Sequence, residues 1–358
     1  MKKILFFDMW SPKGHLFFNT IHLKALSQLG EVYTVFKEGY YPFNFPHVCQ
    51  YLEVPNSYYK EGEGYYRSRI RLARMIRWVW KQVSNEKWDF IILSSYCPLA
   101  LYLSGKFSNA IVIDHNTIGL LDSKILGFPF RHLSKGVKHI VFNEYMKSRL
   151  NMMGIDNVSI VPHGFLPMNS GDISAEDENR IRQKYSLKTN DKYVFLPSLS
   201  LTTVDVVGQF IYNEDFNAFL KENGLKLITK SPIKRTSKSN IIIIDGFLPQ
   251  DEYSFLFLHS SCNVLFYSQD FKYRSSGVLN ECFANSIPCA FSDCDALKAY
   301  LAYINNEQCV FHDAEGLKRS IITTLQIGRE DYYSNLEEIK DPLKAWTKIL
   351  GDKNSQHS

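Results

Sequence analysis

Short apolar segments alternate with helix-length amphipathic intervals along the first half of the chain. The apolar segments are rich in β-branched and aromatic residues, which favours strands over helices. The predicted strands are residues 4–7, 32–36, 90–93, 111–113, 140–142 and 159–161. Strands that alternate with helices in this way pair in parallel, so the pattern predicts a doubly wound, Rossmann-like sheet.

The same alternation begins again after a polar stretch at residues 169–191. The second set of predicted strands is residues 193–196, 225–229, 241–244, 263–267 and 289–291. Residues 165–172 are rich in proline, glycine, asparagine and serine, which is typical of a boundary between domains. We therefore predict an α/β protein with Rossmann-like domains at residues 1–167 and 168–335, followed by a C-terminal helix and tail at residues 336–358.

The predicted C-terminal helix follows from a periodic apolar pattern within residues 330–349 and just beyond. The positions that share one helical face are Leu336, Ile339, Leu343, Trp346 and Leu350. Spacings of three and four residues place these side chains on one stripe, so we expect the helix to pack against a domain.

Size and composition agree with two folded domains. A chain of 358 residues is longer than one hydrophobic core usually serves. Hydrophobic residues make up 45% and charged residues 22%, which excludes a largely disordered chain. The net charge of +4 is too small to indicate nucleic-acid binding, and no basic tail accompanies it.

The N-terminal sequence and the cysteines favour a cytoplasmic protein. Asp8 interrupts the first apolar run, so we interpret that run as a strand and not as a signal peptide. No segment approaches the roughly 18 uninterrupted apolar residues of a membrane span. The seven cysteines are scattered and form no CxxC pair, which favours reduced thiols over disulfides or a structural zinc site.

A glycine-containing turn, Ser11-Pro12-Lys13-Gly14-His15, follows the first predicted strand and precedes a helical pattern at residues 19–30. Glycine lets the backbone approach a ligand, and a helix N-terminus offers N–H groups to an anion or a hydroxyl. An ordinary strand-to-helix turn is compatible with the same residues, and His15 could either reach the cleft or cap the helix. Gly14 is therefore a candidate ligand-binding residue with a plain structural alternative.

Residues 138–165 run as strand, polar turn, helix and strand, and end at Pro162-His163-Gly164. They resemble a segment of glycosyltransferase family 4 that closes the first domain and leads into the hinge. Residues 246–293 are similar to the donor-binding core of that family, with landmarks at Asp251-Glu252, Glu281 and Ser286-Ile287-Pro288. The resemblance implies the GT-B architecture, in which two Rossmann-like domains face each other across a cleft. It also implies an acceptor-binding first domain and a nucleotide-sugar-binding second domain.

The candidate donor site is Ser275-Ser276-Gly277, which opens a predicted helix at residues 277–285. Amides at that helix start would bind a diphosphate, aided by the helix dipole. The resemblance assigns Glu281, on the same helix, to the ribose hydroxyls. The plain alternatives are a helix N-cap at the serines and a solvated carboxylate at Glu281.

Two departures from the family pattern leave the donor sugar and the stereochemical outcome open. Tyr273 stands where the family has its first glutamate, eight residues before Glu281. Residues 197–201 replace the arginine and the Lys-Gly pair that usually follow the first strand of the donor domain. Arg274, Lys230 and Lys234 are the cations that remain to bind a diphosphate.

Asp114 and His115 are the candidate catalytic residues because they follow the predicted strand at residues 111–113. They would lie at the carboxyl edge of the sheet, where open α/β folds bind ligands. His115 could contact the donor sugar or the acceptor, or it could be a structural histidine. Asp114 could accept the proton of the acceptor hydroxyl, or it could form a turn.

We expect neither a metal ion nor a cofactor other than the nucleoside diphosphate sugar as co-substrate. Asp293-Cys294-Asp295 has the spacing of a metal-binding Asp-x-Asp motif, but it lies between a predicted strand and a predicted helix. Helix capping accounts for these residues better than metal binding. Helix dipoles and cations can neutralise a departing diphosphate without a metal.

Residues 65–83 predict an amphipathic helix with one apolar and one basic face. The apolar face carries Leu72, Met75, Ile76, Val79 and Val83, and the basic positions are Arg67, Arg71, Arg74 and Lys81. The helix is either a solvated surface helix or, with Trp78 and Trp80 at its flanks, a peripheral contact with anionic lipid near a lipid-linked acceptor.

The resemblance therefore implies a glycosyltransferase of hexosyltransferase type. It would move a sugar to a hydroxyl of an acceptor, for example a saccharide in bacterial surface polysaccharide synthesis. Two alternatives remain open. A nucleotide-sugar 2-epimerase has the same double-Rossmann architecture and needs no acceptor. A catalytically silent binding protein of this fold would agree with the two departures from the family pattern.

Overall fold

The chain forms two compact units in a computed structural model that describes residues 1–60, 62–168, 173–197, 208, 211, 214–231, 239–245 and 248–351. One unit combines residues Met1–Phe165 with Ile339–Ser358, and the other is Leu166–Glu338. The C-terminal segment is therefore part of the first unit, although it follows the second in sequence.

The first unit is built on a seven-stranded parallel sheet. Its strands are β1 (Lys2–Asp8), β2 (Gly30–Lys37), β3 (Val48–Val54), β4 (Phe90–Ser95), β5 (Ile111–Ile113), β6 (Lys138–Val141) and β7 (Val158–Ile160). They lie in the order β3-β2-β1-β4-β5-β6-β7. The central strands carry runs of large apolar residues because helices cover both of their faces, and residues 4–7 of β1 are fully buried.

Six α-helices lie in the described part of this unit. They are α1 (Leu16–Ser27), α2 (Tyr65–Val83), α3 (Pro98–Ser104), α4 (Lys124–Leu133), α5 (Glu144–Met152) and, after the second unit, a C-terminal helix Leu343–Gly351. The apolar face predicted for α2 is confirmed, since Leu72, Met75, Ile76, Val79 and Val83 are all buried. Short 3-10 helices precede α1 at Lys13–His15 and α4 at Ile118–Asp122.

The second unit contains a six-stranded parallel sheet. Its strands are β8 (Lys192–Leu196), β9 (Leu225–Ser231), β10 (Ile241–Asp245), β11 (Cys262–Leu265), β12 (Cys289–Ser292) and β13 (Val310–Phe311), in the order β10-β9-β8-β11-β12-β13. Its described helices are α6 (Ala175–Lys184), α7 (Glu214–Glu222), α8 (Gln250–Leu258), α9 (Gly277–Ala284), α10 (Asp295–Lys298) and α11 (Ala314–Gln326), and α12 (Glu337–Lys340) spans the division between the two units. The C-terminal helix Leu343–Gly351 is accordingly α13.

Each sheet reverses its strand order at one position. In the first sheet β2 and β3 lie on one side of β1, and β4 to β7 lie on the other. In the second sheet β9 and β10 lie on one side of β8, and β11 to β13 lie on the other. Ligands of open α/β sheets bind beyond the carboxyl ends of the strands at this reversal. The reversals therefore mark where functional residues are to be sought in each unit.

The helix α13 is bound to the first unit by buried polar contacts. Nε1 of Trp346 donates a hydrogen bond to Nδ1 of His22 (3.0 Å), and Nε2 of His22 then donates to the carbonyl of His163 (3.2 Å). Burial, with the neighbouring charge of His163, lowers the pKa of His22 to about 3, so the ring is neutral. Lys2 caps the end of α13 through a 2.6 Å bond from Nζ to the carbonyl of Leu350.

Gly164 allows the chain to leave the first sheet beside the returning C-terminal segment. Its φ is 71°, and a Cβ at this position would lie 2.6 Å from Cγ2 of Ile21 and 3.2 Å from the carbonyl of Lys340. The next residue, Phe165, donates its backbone N–H to that same carbonyl (3.2 Å). Glycine is required here for both conformation and space.

Several predicted elements differ from the structure in extent. The helical pattern at residues 330–349 is two helices, α12 and α13, because Pro342 interrupts the chain between them. The helix expected at residues 19–30 begins earlier, at Leu16, and ends at Ser27. The strands β3 and β13 are additions to the predicted set.

Two further observations concern the cysteines and the length of the helices. All seven cysteines are free thiols, and six of them are buried. None of the helices in the described part of the chain combines the length and the apolar character of a membrane span.

Candidate functional site

A cavity of about 330 Å³ opens at the strand reversal of the first sheet, beyond the carboxyl ends of β1, β4 and β5. Its lining residues are Trp10, Pro12, His15, Ser95, Tyr96, Ile113, His115, Asn116 and Thr117. The lining combines aromatic rings with hydroxyl, amide and imidazole groups, as small polar ligands require.

Asp8, the last residue of β1, lies beneath this cavity and is fully buried. Its Oδ1 accepts hydrogen bonds from the backbone N–H groups of Trp10 (3.1 Å) and Ser11 (2.9 Å) and from the hydroxyl of Ser95. Its Oδ2 accepts a 2.8 Å bond from the side-chain amide of Asn19 on α1. A buried carboxylate with this many donors stays ionised without a metal ion.

Oδ2 of Asp8 also lies 3.2 Å from Nδ1 of His15, at the end of the 3-10 helix before α1. Burial alone would raise the pKa of Asp8, but the hydrogen bond and charge of His15, with the bonds from Ser95 and Asn19, lower it to about 2. Because a carboxylate only accepts, Nδ1 of His15 carries the proton of this bond, and Nε2 is the ring nitrogen left to exchange a proton with a ligand. The pair is therefore arranged as a base with a defined tautomer on the cavity wall.

His115 stacks on His15, with ring centroids 4.6 Å apart. Burial, with the nearby rings of His15 and His163, holds the pKa of His115 well below its usual range, so the ring is neutral. Its Nε2 is buried and has no hydrogen-bond partner among the residues that the structure describes.

Asp114 follows β5 as predicted, but its carboxylate is fully buried and is held by three side chains. Oδ1 accepts hydrogen bonds from the hydroxyl groups of Tyr96 (2.7 Å) and Thr117. Oδ2 accepts a 2.7 Å bond from Nδ1 of His139 on β6. Asp114 therefore orders two residues of the cavity wall, and its predicted role as a base stays a prediction.

In the second unit, Ser276 is the N-cap residue of α9, the α-helix that follows β11. The strand β11 lies next to β8, where the strand order of this sheet reverses. Its Oγ accepts the backbone N–H of Leu279 (3.1 Å) and lies 3.1 Å from the hydroxyl of Tyr267. Ser275 accepts a bond from the side-chain amide of Asn280 (3.3 Å). A Cβ at Gly277 would meet no atom within 4 Å, so the backbone here is open to a ligand.

Glu281 lies on α9, where its Oε2 accepts a 2.6 Å hydrogen bond from the hydroxyl of Tyr253 on α8. Burial raises the pKa of Glu281 to about 7, and the bond from Tyr253 opposes that shift in part. Glu281 is a partly buried residue, so its carboxyl is not fully solvated. Near neutral pH it can therefore both donate and accept a hydrogen bond.

The remaining predicted donor residues are more dispersed. Arg274 is exposed just before Ser275, with its guanidinium 5.6 Å from the centre of the Phe271 ring. Lys230 is partly buried near the end of β9, and Gly14 is exposed in the 3-10 helix of the first unit. Lys234 and residues 198–201, which bear on the predicted diphosphate site, lie outside the described residues.

Asp293 and Asp295, the spaced carboxylates of the Asp-x-Asp pattern, are both bound by Lys298, at 2.7 and 2.9 Å. Within the ranges that the structure describes, no group of three or more His, Cys, Asp or Glu side chains is arranged to hold a metal ion.

Comparisons with known proteins bear on the fold class of the chain. No protein-family model matches the chain, and no curated protein matches it. A glycosyltransferase from Rickettsia africae matches with a TM-score of 0.60 and 14% identity, over 99% of each chain. Anabaena HepE in complex with UDP-glucose matches with a TM-score of 0.54 and 10% identity, over 98% of this chain and 95% of that one.

A third match is a UDP-N-acetylglucosamine 2-epimerase from Rickettsia bellii, with a TM-score of 0.62, 11% identity and coverage of 99% of this chain and 97% of that one. Together with the two parallel sheets, these likenesses show the GT-B fold of two Rossmann-like domains, so the predicted fold class is confirmed. At such identities they do not show membership of family 4.

Proposed function

We propose that the chain is a glycosyltransferase that moves a sugar from a nucleoside diphosphate sugar to an acceptor hydroxyl. The observation that carries the proposal is the His15 ring, which Asp8 binds beneath a cavity at the strand reversal of the first sheet. Transfer to a hydroxyl needs a base within reach of its proton, and a histidine of defined tautomer is suited to that task. The GT-B fold, shared with a protein that binds UDP-glucose, supports the donor class.

In this mechanism the acceptor occupies the first-domain cavity. Its hydroxyl proton moves to Nε2 of His15 while its oxygen bonds to the anomeric carbon of the donor sugar. The bond from that carbon to the diphosphate oxygen breaks, and its electron pair leaves with the nucleoside diphosphate. Asp8 stabilises the imidazolium that forms, and the neutral His115, stacked on the His15 ring, holds that ring in place.

The second domain binds the nucleoside diphosphate. The backbone at Ser275, Ser276 and Gly277, at the N-terminus of α9, contacts the diphosphate, and Arg274 and Lys230 supply positive charge. Glu281 accepts the ribose hydroxyls, and Gly14 lets the turn before α1 approach the donor. These cations and the helix dipole neutralise the leaving group, so we assign no metal ion to the reaction.

The acceptor in this proposal is a saccharide, in keeping with the aromatic rings of Trp10 and Tyr96 beside polar groups on the cavity wall. From the resemblance to family 4 we extend the proposal to a hexosyl donor and to bacterial surface polysaccharide synthesis in the cytoplasm. A lipid-linked saccharide would be a suitable acceptor for such a pathway.

A thermal-shift screen tests the donor site. UDP, GDP and UDP-, GDP-, CMP- and dTDP-sugars are added to the wild type, to Glu281→Ala, to Arg274→Ala and to the control Arg319→Ala, an exposed arginine of the same unit. We expect one nucleotide class to raise the melting temperature of the wild type and the control, because a ligand stabilises the state that it binds. Loss of that shift in both site variants supports the proposal, and unaltered shifts contradict it.

Product analysis with and without a saccharide acceptor separates the two alternatives. A nucleotide-sugar 2-epimerase would change the sugar of its substrate in the absence of an acceptor. A silent binding protein would leave every nucleotide sugar intact under both conditions. Acceptor-dependent release of nucleoside diphosphate is the outcome that the proposal requires.

A further inference from the structure

Three adjacent helices of the first unit, α2, α3 and α4, present large apolar side chains to solvent. Ile125 is 79% exposed and Phe128 is 54% exposed, both on α4. The others are Tyr66 (67%) and Ile70 (47%) on α2 and Leu103 (39%) on α3. We call these five residues, with the basic side chains of the same helices, the three-helix surface.

Contacts between neighbouring helices make the surface continuous. The guanidinium of Arg77 on α2 donates hydrogen bonds to the carbonyls of Leu103 (2.6 Å) and Ser104 (3.2 Å) at the end of α3. Tyr102 on α3 packs edge-on against Phe128, at 5.8 Å between ring centroids. The helices that carry the exposed apolar residues therefore adjoin one another, α2 beside α3 and α3 beside α4.

The charge of the surface has one sign. The helix α2 carries six Lys and Arg residues, α4 carries two, and neither these helices nor α3 contains Asp or Glu. Two acidic residues that flank the helices are paired: Glu63 binds Arg71 of α2 itself, and Asp122 binds Arg149 of α5 at 2.5 Å. The exposed basic side chains thus face solvent without a neutralising carboxylate on their own helices.

The same surface borders the first-domain cavity. The guanidinium of Arg69 on α2 lies 4.4 Å from the centre of the Tyr65 ring and 5.6 Å from that of Trp10, which lines the cavity. The helix α4 follows the cavity residues Asn116 and Thr117 after one 3-10 helix. A molecule held on the surface would therefore be close to the cavity entrance.

We propose that the three-helix surface docks the chain on an anionic lipid bilayer, with Ile125 and Phe128 inserted among the headgroups. Apolar side chains ringed by arginine and lysine match the interface of such a membrane, where buried apolar area and headgroup phosphates act together. A soluble polyanion would satisfy the cations but would leave Ile125 and Phe128 in water. The combination of both features favours the lipid surface.

In this proposal the residues that contact the membrane differ from those expected from the sequence of α2 alone, which included Trp78 and Trp80. Trp78 packs against Tyr58 (6.0 Å between ring centroids) and Trp80 packs against Phe107 (4.9 Å), so neither tryptophan is the exposed anchor. The anchors are instead on α4, which the amphipathic pattern of residues 65–83 does not include.

Flotation of the full chain with lipid vesicles tests the proposal without any nucleotide sugar, so its outcome is independent of the proposed transferase activity. We expect the wild type to float with vesicles of phosphatidylglycerol and phosphatidylcholine, and at least about tenfold less with phosphatidylcholine alone. Added salt should reduce the bound fraction, because headgroup charge contributes to the binding.

Two double variants examine the two parts of the surface. Ile125→Asp with Phe128→Asp, and Arg67→Glu with Arg74→Glu, should each reduce the floated fraction about tenfold or more. All four side chains are exposed, so the melting temperature should be unchanged. The matched controls are Met152→Asp, a 73% exposed apolar residue on α5, and Lys24→Glu with Lys221→Glu, which should float as the wild type does.

The proposal is overturned if the wild type does not float, if neutral vesicles bind it equally well, or if the controls lose binding as the surface variants do. Binding of polyphosphate that Arg67→Glu with Arg74→Glu abolishes, in the absence of flotation, would assign the surface to a soluble polyanion and would equally overturn it.

Discussion

Nδ1 of His15 lies 3.2 Å from Oδ2 of Asp8, which closes β1 beneath the first-domain cavity. The other oxygen of Asp8 is occupied by two backbone N–H groups and the Ser95 hydroxyl, so the carboxylate has little freedom to move. The relationship defines both the tautomer and the orientation of the imidazole. It gives the cavity a base whose free nitrogen is Nε2.

The change His15→Ala should remove this base. We expect the turnover number for transfer to fall by about a hundredfold to ten-thousandfold, since general base catalysis contributes that much. Steady-state kinetics with saturating donor and acceptor measure the effect. The control is His312→Ala, which alters an exposed histidine of the second unit and should keep wild-type turnover. Equal rates for His15→Ala and the wild type would contradict the assignment of His15.

The raised pKa of Glu281 should make stability depend on pH. Its pKa is about 7 in the folded chain against an ordinary 4.5, so the folded state binds this proton more tightly than the unfolded state. The free energy of unfolding should therefore fall as the pH rises through the window between these two pKa values, by at most about 3 kcal/mol for this group. Below the window the contribution is fully present, and above it the contribution is lost.

Glu281→Gln checks that pH dependence. We expect the variant to gain stability relative to the wild type on going from about pH 5 to about pH 8, because it has no carboxyl to ionise. Urea unfolding at both pH values measures the difference, and Glu330→Gln, an exposed glutamate, serves as the control. A constant difference between Glu281→Gln and the wild type at the two pH values would show that the carboxyl is not buried.

Two substitutions at Ser276 separate helix capping from ligand binding. Ser276→Ala should cost about 1 kcal/mol, because it removes the acceptor for the N–H of Leu279. Ser276→Asp retains a capping oxygen and should keep the stability, but its charge would repel a diphosphate at the start of α9. Melting temperatures with and without nucleotide distinguish the two effects. A wild-type nucleotide shift in Ser276→Asp would place the diphosphate elsewhere.

Trp346→Phe tests how α13 is bound to the first unit. The change leaves the buried Nδ1 of His22 without its donor, which should cost about 1–3 kcal/mol of stability. Trp78→Phe is the matched control, since Trp78 is only partly buried, and it should cost less. Chemical denaturation of both variants measures the costs. Equal losses would mean that the bond between Trp346 and His22 contributes nothing specific.

Most strands of the fold could be predicted because their apolar runs are continuous. Central strands of a parallel sheet are buried on both faces, so residues 4–7 of β1 and 289–291 of β12 are all apolar. The edge strand β3 does not meet this criterion, since its polar residues Gln50 and Glu53 are both exposed. The other missed strand, β13, is only two residues long and carries almost no pattern.

The candidate site could be located from the sequence only in part. Asp114 and His115 were predicted at a sheet edge, and the structure places both there, because strand ends follow from local periodicity. Asp8 and Ser95 escaped prediction as partners, since β1 and β4 are adjacent only through the order of the strands. Asp8 itself is a signal in the sequence, because a carboxylate that ends a strand of an open α/β sheet lies where such sheets bind ligands.

The central claim is tested most directly by the release of nucleoside diphosphate from a nucleotide sugar, measured with and without a saccharide acceptor. The account predicts that release and glycosylated product rise together when the acceptor is present, in the wild type and in His312→Ala. It predicts that both fall by about a hundredfold or more in His15→Ala. Absence of acceptor-dependent release with every donor class, from a chain whose melting temperature no nucleotide changes, would contradict it.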